Sequence, residues 1–347
     1  MAVPPDKTIM EFRHHVHFFF HARNDPEFAE QERDCHWCQL ATFTSHRSYP
    51  ISIVFGSETT AVIPQDFRFI EENVLREGVQ PADAAFESGC NCTDDVQCML
   101  MTADNDPNGC LCLQDVDREN MAIGAKLNAY HVFGQRAGCL RGHKLESRDP
   151  VYECNARCSC SQNCPNRVVG NGRKVNLQIF NTTDGRVRAT EDIRRGQYVG
   201  SYVGEVITPA EADRRRDGAG ERKKKDIYLF ALDKFSQDSP DSNKAYEIDG
   251  EYMSGPTRFI NHSCSPNLRI FAVVNELANK ALHGLCFFAT KEIPRNTELT
   301  FDYTDGVKRS DEVAGTGRKF EDMSASEKNK ELFPCLCGAS NCRGYLW

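Results

Sequence analysis

Cys264 stands directly behind Asn261, His262 and Ser263 in the run RFINHSCSPN, and its nearest cysteine neighbours along the chain, Cys164 and Cys286, are both far away. Elsewhere the thiols crowd together. Nine of them occupy two runs, CNCTDDVQC with CLC (Cys90, Cys92, Cys98, Cys110, Cys112) and CNARCSCSQNC (Cys154, Cys158, Cys160, Cys164). A structural zinc takes four thiolates in a tetrahedron, so nine ligands serve two isolated ions with one left over; three bridging thiolates raise the bond count to twelve and satisfy three ions. The last cluster, CLCGASNC, offers Cys335, Cys337 and Cys342. That set is one ligand short of a tetrahedron, and Cys264 is the candidate fourth. An isolated buried thiol is the other reading of Cys264, and spacing leaves both open.

Disulfides account for this pattern poorly. The cysteines total 17, an odd number, and those one residue apart bridge only with severe strain. The first twenty residues carry Asp6, Glu11 and the run HHVHFFFH, without the basic start, apolar middle and cleavage site of a signal peptide, so a soluble intracellular protein with reduced thiols is expected. Cys35 and Cys38 form a CHWC pair that carries little by itself, Cys139 and Cys286 read as ordinary thiols, and the histidines near the start read as packed or solvated. The formal net charge of -8 disfavours a protein that grips DNA through phosphates and suits a basic partner. No apolar run reaches the length that spans a bilayer.

The elements that must carry these residues are short. From Val175 to Tyr303 the chain alternates β-branched and aromatic runs with turn residues: VNLQIF, QYVGSYVGEVIT, IYLFALD, AYEIDGEYM, LRIFAVV, GLCFFAT and ELTFDY. The fold class expected is mainly β with some α, built of small sheets, with one helix at PAEADRRRDGAGERKKKD whose arginine and lysine runs read as a solvated helix face and loop beside acidic residues rather than as a nucleic-acid or import signal. Leu113 to Pro150 reads as a polar surface excursion closed off by the cysteines, and Thr304 to Leu332 as a polar segment that orders only with a ligand.

YVGE, RFINHSCSPN, ELTFDY and CLCGASNCRGYLW, in this order behind nine clustered cysteines, resemble the SET-domain protein lysine methyltransferases. Within them the chain is most similar to the suppressor-of-variegation group that methylates lysine 9 of histone H3, and there to its filamentous-fungal members, which lack a chromodomain. The resemblance runs from about Cys35 to Trp347. It implies a SET fold with a pseudoknot-like C-terminal threading, flanked by pre-SET and post-SET cysteine modules. The implied division is an N-terminal region 1–85, a pre-SET three-zinc cluster 86–170, a SET domain 171–304, a linker 305–330 and a post-SET zinc module 331–347.

The resemblance further implies a triangular three-zinc cluster on the nine cysteines and a fourth zinc on Cys264, Cys335, Cys337 and Cys342. It assigns Tyr303 and Tyr202 to the lysine channel, Tyr303 as the catalytic residue, and Phe301 to a position where a tyrosine restricts the amine in related enzymes. S-adenosylmethionine would lie against Tyr228, Arg258, Phe259, Asn261 and His262, with Trp347 closing over it, and Asp233 would border the groove for the histone H3 tail. With Phe301, di- and trimethylation are expected. The implied setting is the nucleus and heterochromatic chromosome, with chromatin-recruiting partners, no sequence-specific DNA binding and no membrane. With zinc bound, three ions on nine thiolates and one on four would bring the net charge to about -13, favouring a basic tail.

In one place the chain departs from the family. A Gly-x-Gly turn expected after the first strand of the SET domain is replaced by IFNTTDGRVRATEDIRRGQ, in which Gly185 alone offers close backbone approach and Asn181 stands where a basic residue is common. The alternative function class is therefore a zinc-stabilised scaffold that binds the histone tail without transferring methyl groups.

Overall fold

The computed structural model describes residues 35–54, 63–64, 66–99, 109–116, 128–181, 185–219, 228–238, 245–305 and 334–346. The histidine-rich start, the segment 306–333 and Trp347 lie outside them.

The largest sheet is made by LRIFAVV and GLCFFA, whose β-branched and aromatic side chains suit a pleated surface buried on both faces. Strand Leu268–Val274 pairs antiparallel with Gly284–Ala289. Tyr198–Tyr202 joins the far side of Gly284–Ala289, with a register shift between Phe287 and Phe288. Val151–Tyr152 adds a short parallel edge to Leu268–Val274. A second sheet orders Val74–Leu75, Glu205–Ile207, Glu247–Asp249 and Leu229–Ala231, and a third orders Ile51–Val54, Leu177–Asn181 and Gly185–Ala189. Arg68–Phe69 pairs with Met253–Ser254.

The remaining strand pair positions the site. Asn261–His262 runs parallel to Thr300–Phe301. The Asn267 side chain bonds on both sides of that crossing, accepting from the Thr300 N–H at 2.9 Å and donating to the Glu298 carbonyl at 2.8 Å. The loop following Asn261 is thus fastened along the late strand, as the expected pseudoknot-like threading requires.

Helix α1 (His36–Ala41) packs beside Arg68–Phe69, where Gln39 accepts from the Phe69 N–H. Helix α2 (Gly142–Glu146) is a short turn before the strand at Val151. Helix α3 (Pro209–Gly218) starts on a Thr208 cap that accepts from the Glu211 N–H, with Pro209 in the first turn and Arg215 and Arg216 in the last. The solvated-face reading holds for Arg214, which is 74% exposed, and is corrected for its neighbours. Arg215 pairs with Glu205 and with the fully buried Asp249 at 2.7 Å, and Arg216 pairs with Glu247. Helical periodicity turns two of three consecutive arginines toward acids supplied by the neighbouring sheet.

The polar excursion expected between Leu113 and Pro150 also needs correction. Residues 117–127 lie outside the described set, but Ala129, Tyr130, Leu140 and Leu145 are buried with Phe271 and Phe288 in a satellite core. Buried Tyr130 donates to Glu153, and that carboxylate also accepts the N–H groups of Val168, Val169 and Gly170. The main core lies among the sheets and is aliphatic and aromatic. The nine-cysteine region has its own interior, in which Leu113, Val116, Tyr152 and Val274 are the buried apolar partners among the described residues.

No helix among the described residues is long and apolar enough to cross a membrane.

Candidate active site and metal centres

The nine thiols are all buried, and seven of them fall into overlapping groups of four. Cys90 belongs to three groups of four: with Cys92, Cys98 and Cys110; with Cys98, Cys154 and Cys160; and with Cys110, Cys112 and Cys154. Nearest sulfurs lie 3.4 to 4.0 Å apart, as in Cys112 to Cys158 and Cys90 to Cys154. Zinc–sulfur bonds of about 2.3 Å in a tetrahedron place neighbouring sulfurs about 3.8 Å apart, so the spacing fits metal ligation and is far too long for disulfides. Shared membership is what bridging demands. Crowding splits the thiols electrostatically: hydrogen bonds from Cys112 and Cys154 hold Cys158 down to about 6, while contacts with Cys110, Cys154 and Cys164 push Cys98 far above the ordinary thiol range. Divalent cations relieve that conflict by allowing every ligand to be a thiolate.

The C-terminal set assembles as well. Cys264, Cys335, Cys337 and Cys342 bring their sulfurs within 4.8 Å of one another, with Cys264 and Cys335 at 3.8 Å. Of the two readings open for Cys264, the geometry favours the shared ligand. Here the ligands are only partly buried. Cys35 and Cys38 are buried in and beside α1 and belong to none of the metal-compatible groups among the described residues.

A cluster of aromatic rings gathers around Phe301 and Tyr303. Phe301, at the end of its strand, and Tyr303, in the turn that follows, have ring centroids 4.7 Å apart. Phe230 packs 5.7 Å from Phe301, 6.2 Å from Tyr303 and 4.6 Å from Tyr202, joining the two tyrosines through one ring. Phe287 closes the back at 4.8 Å from Phe301. Sequence reasoning missed Phe230. Its place in YLFAL marked a strand but held no sign that the ring would lie between two tyrosines brought from distant segments.

Both tyrosine hydroxyls are oriented by backbone. The Tyr202 hydroxyl donates to the Tyr228 carbonyl at 2.9 Å, and the Tyr303 hydroxyl donates to the Ile260 carbonyl at 3.1 Å. Each phenol proton is thereby committed, leaving the oxygen lone pairs to accept from something else. Burial pushes the Tyr202 phenol well above its usual range, against a smaller lowering effect from Arg258, so it stays neutral. Gly250 is required beside it, since a Cβ there would overlap the Tyr202 hydroxyl.

The residues around these anchors are those assigned to the cofactor. The Arg258 guanidinium lies 4.3 Å over the Tyr228 ring and 4.8 Å over Phe259. Tyr228, Arg258 and Asn261 are partly exposed, whereas Phe259 and His262 are buried. Tyr228 and Asn261 are thus at, or next to, the two carbonyls that hold the hydroxyls. Together they form a partly exposed aromatic and cationic rim beside the two tyrosine hydroxyls. His262 accepts the Tyr303 N–H at Nδ1, 3.1 Å away, while its Nε2 faces the Cys264 sulfur at 3.3 Å and the Arg343 guanidinium at 3.4 Å. Burial lowers the His262 pKa, in keeping with a neutral ring.

Phe230, Phe301 and Tyr303 also line a cavity of about 530 Å³ that continues past Leu285, Asp233 and Arg269. Asp233 is exposed at its border. The cavity is large enough for an extended peptide segment with one side chain turned inward. Among the expected site residues, Trp347 lies outside the described set. So does the turn of the hairpin at the family departure, residues 182–184; its flanking strands pair in register up to Asn181 opposite Gly185.

Comparison with known proteins agrees with this arrangement. The SET domain family model matches residues 186–304, and the Pre-SET motif matches 43–167. The H3 lysine-9 specific histone-lysine N-methyltransferase dim-5 of Neurospora crassa is 46% identical over 351 residues, 97% of this chain and 100% of the relative. The solved structure of the Neurospora SET domain protein DIM-5 superposes with a TM-score of 0.66 at 47% identity, covering 76% of this chain and 99% of that one. KRYPTONITE, solved with DNA, an H3(1-15) peptide and SAH, gives a TM-score of 0.58 at 26% identity over 86% of this chain and 52% of that one. With a SET match that spans the aromatic cluster and near full-length identity to a curated enzyme, the chain belongs to the SET-domain histone-lysine N-methyltransferases, in the group specific for lysine 9 of histone H3.

Proposed function

We propose that this chain methylates lysine 9 of the histone H3 tail, using S-adenosylmethionine, up to the trimethyl state. The observation that carries the reading is the pair of phenols, Tyr202 and Tyr303, each donating to a backbone carbonyl and both packed against the Phe230 ring. When bound, S-adenosylmethionine supplies an electrophilic methyl group on a sulfonium sulfur. The protein must supply a neutral amine in line with it. A lysine with a pKa near 10.4 costs about 4.6 kcal/mol to hold neutral at pH 7 in water. The rings of Phe230, Phe301 and Tyr303 remove water and lower that cost by disfavouring the ammonium form. The lone pairs left on the Tyr303 and Tyr202 hydroxyls accept from the amine and fix its direction, so that positioning supplies much of the rate.

Phe301 leaves the amine unrestrained by a third hydroxyl, which supports successive transfers. Tyr228, Arg258, Phe259, Asn261 and His262 form the cofactor rim in this reading, Trp347 its lid, and Asp233 the border that meets a basic tail laid as an added strand. Thiolate-rich zinc sites make the protein still more acidic than its formal charge, which favours the histone tail over duplex DNA. Action in heterochromatin, through separate recruiting proteins, belongs to the same proposal.

The test is mass spectrometry of an H3 tail peptide incubated with the zinc-replete protein and S-adenosylmethionine. Trimethylation at lysine 9 is expected. Tail binding without transfer would instead favour the scaffold reading, to which the missing Gly-x-Gly turn near Gly185 points.

A further inference from the structure

The C-terminal segment touches the catalytic strand at a second point besides the metal ligands. Arg343 follows Cys342, and its guanidinium meets the Asp302 carboxylate with two bonds, at 2.7 and 3.0 Å. Asp302 lies between Phe301 and Tyr303. The strand ends at Phe301, and in the turn that follows the Asp302 carboxylate meets the tail, although Asp302 also borders the cavity that Phe301 and Tyr303 line. The Thr304 N–H and hydroxyl also donate to Asp302, so four donors converge on one carboxylate whose side chain is only 14% exposed. A surface ion pair contributes little, but a two-pronged, hydrogen-bonded pair of this kind fixes geometry.

The contacts close into a ring. The Arg343 backbone N–H lies 3.4 Å from the Cys264 sulfur, and Asn341 donates to the Cys264 carbonyl at 3.0 Å. His262 faces that same sulfur through Nε2 and receives the Tyr303 N–H at Nδ1. Asp302 then returns the path to Arg343. Tyr303 is therefore held through His262 and flanked by Asp302, and Arg343 of the tail reaches both, its guanidinium lying 3.4 Å from His262 Nε2 as well as on the Asp302 carboxylate.

We propose that Arg343 is a positioning residue: its paired bond to Asp302 couples docking of the C-terminal segment to the placement of Tyr303, independently of metal ligation. The inference rests on the methyltransferase reading for its kinetic consequence and on geometry alone for the coupling. The experiment compares full-length, zinc-replete wild type with Arg343→Ala, Arg343→Lys and Asp302→Asn. It measures zinc content, hydrogen exchange across residues 300–305 and 334–346, and kcat and KM on an H3 tail peptide. For Arg343→Ala, the expected result is unchanged zinc, faster exchange at the Tyr303 amide, and kcat lower by about 10- to 100-fold, the range for a lost charge-assisted bond, with KM for the peptide little altered. Arg343→Lys should recover only part, because one ammonium cannot span both carboxylate oxygens. Asp302→Asn should reproduce the Arg343→Ala pattern.

Wild-type kcat and unchanged exchange in Arg343→Ala with zinc retained would overturn the coupling. So would loss of a zinc equivalent, which would make Arg343 part of the metal site itself. A wild-type protein that transfers no methyl group refutes the transferase reading, while the exchange comparison still decides the coupling.

Discussion

The two cysteine centres use one ligand type for different ends. The nine-cysteine region buries its thiols among few apolar side chains, and its ligands come from two nearby runs of the sequence. Among its described residues little hydrocarbon is buried with the thiols, so metal would stand in for a core there. The C-terminal centre draws Cys264 from the middle of the chain and three ligands from its end, leaves them partly exposed, and sits against residues that hold Tyr303. In the first, ligand loss removes a fold. In the second it releases a segment from an otherwise intact fold, and stability and activity should part company there.

The largest effect is therefore expected for Cys154→Ser, a ligand common to two of the overlapping groups. It should prevent the pre-SET region from folding, seen as insoluble protein or as loss of the cooperative thermal transition. A soluble variant with wild-type melting would remove the contrast at its root. Cys264→Ser should leave the melting transition within a few degrees of wild type while cutting turnover at least about 100-fold, since the tail loses its anchor. Retained turnover would end the shared-zinc assignment.

Graded chelation should separate the centres by access. The exposed C-terminal ion should leave first, and activity should fall before the circular dichroism signal changes; simultaneous loss would show that the sites are not independent. Phe301→Tyr touches neither centre and should keep turnover while shifting product toward mono- and dimethyl-lysine, read by mass spectrometry. An unchanged trimethyl yield would count against the channel assignment. The smallest effect concerns pH. Because burial holds Tyr202 neutral well above the usual phenol range, activity should rise with lysine deprotonation and show no falling limb from Tyr202 up to about pH 10. A falling limb near pH 9 that disappears in Tyr202→Phe would contradict this.

Much of the architecture was legible because short-range rules governed it. LRIFAVV and GLCFFAT became paired strands, and PAEADRRRDG became a capped helix. The aromatic wall was legible only in part: Phe301, Tyr303 and Tyr202 were found through motifs, while Phe230 was found only in space. The misreadings share a cause. Leu113 to Pro150 looks polar on average, yet Tyr130 and Leu140 are buried against Phe288 and a neighbouring strand. Arg215 looks solvated within its own helix, yet Asp249, buried on another element, claims it. Average polarity does not report which single side chains a distant segment will cover.

By itself the sequence determined the ligand inventory, the thiol count that calls for bridging metals, the strand runs and the order of motifs, because each depends on residue type and near spacing. Tertiary structure alone decided that Cys264 meets the tail, that Phe230 joins the two tyrosines, and that Arg343 grips Asp302. Those contacts join residues far apart in the chain, and which of them form depends on how the sheets pack and thread, a property of the whole chain that no local window contains.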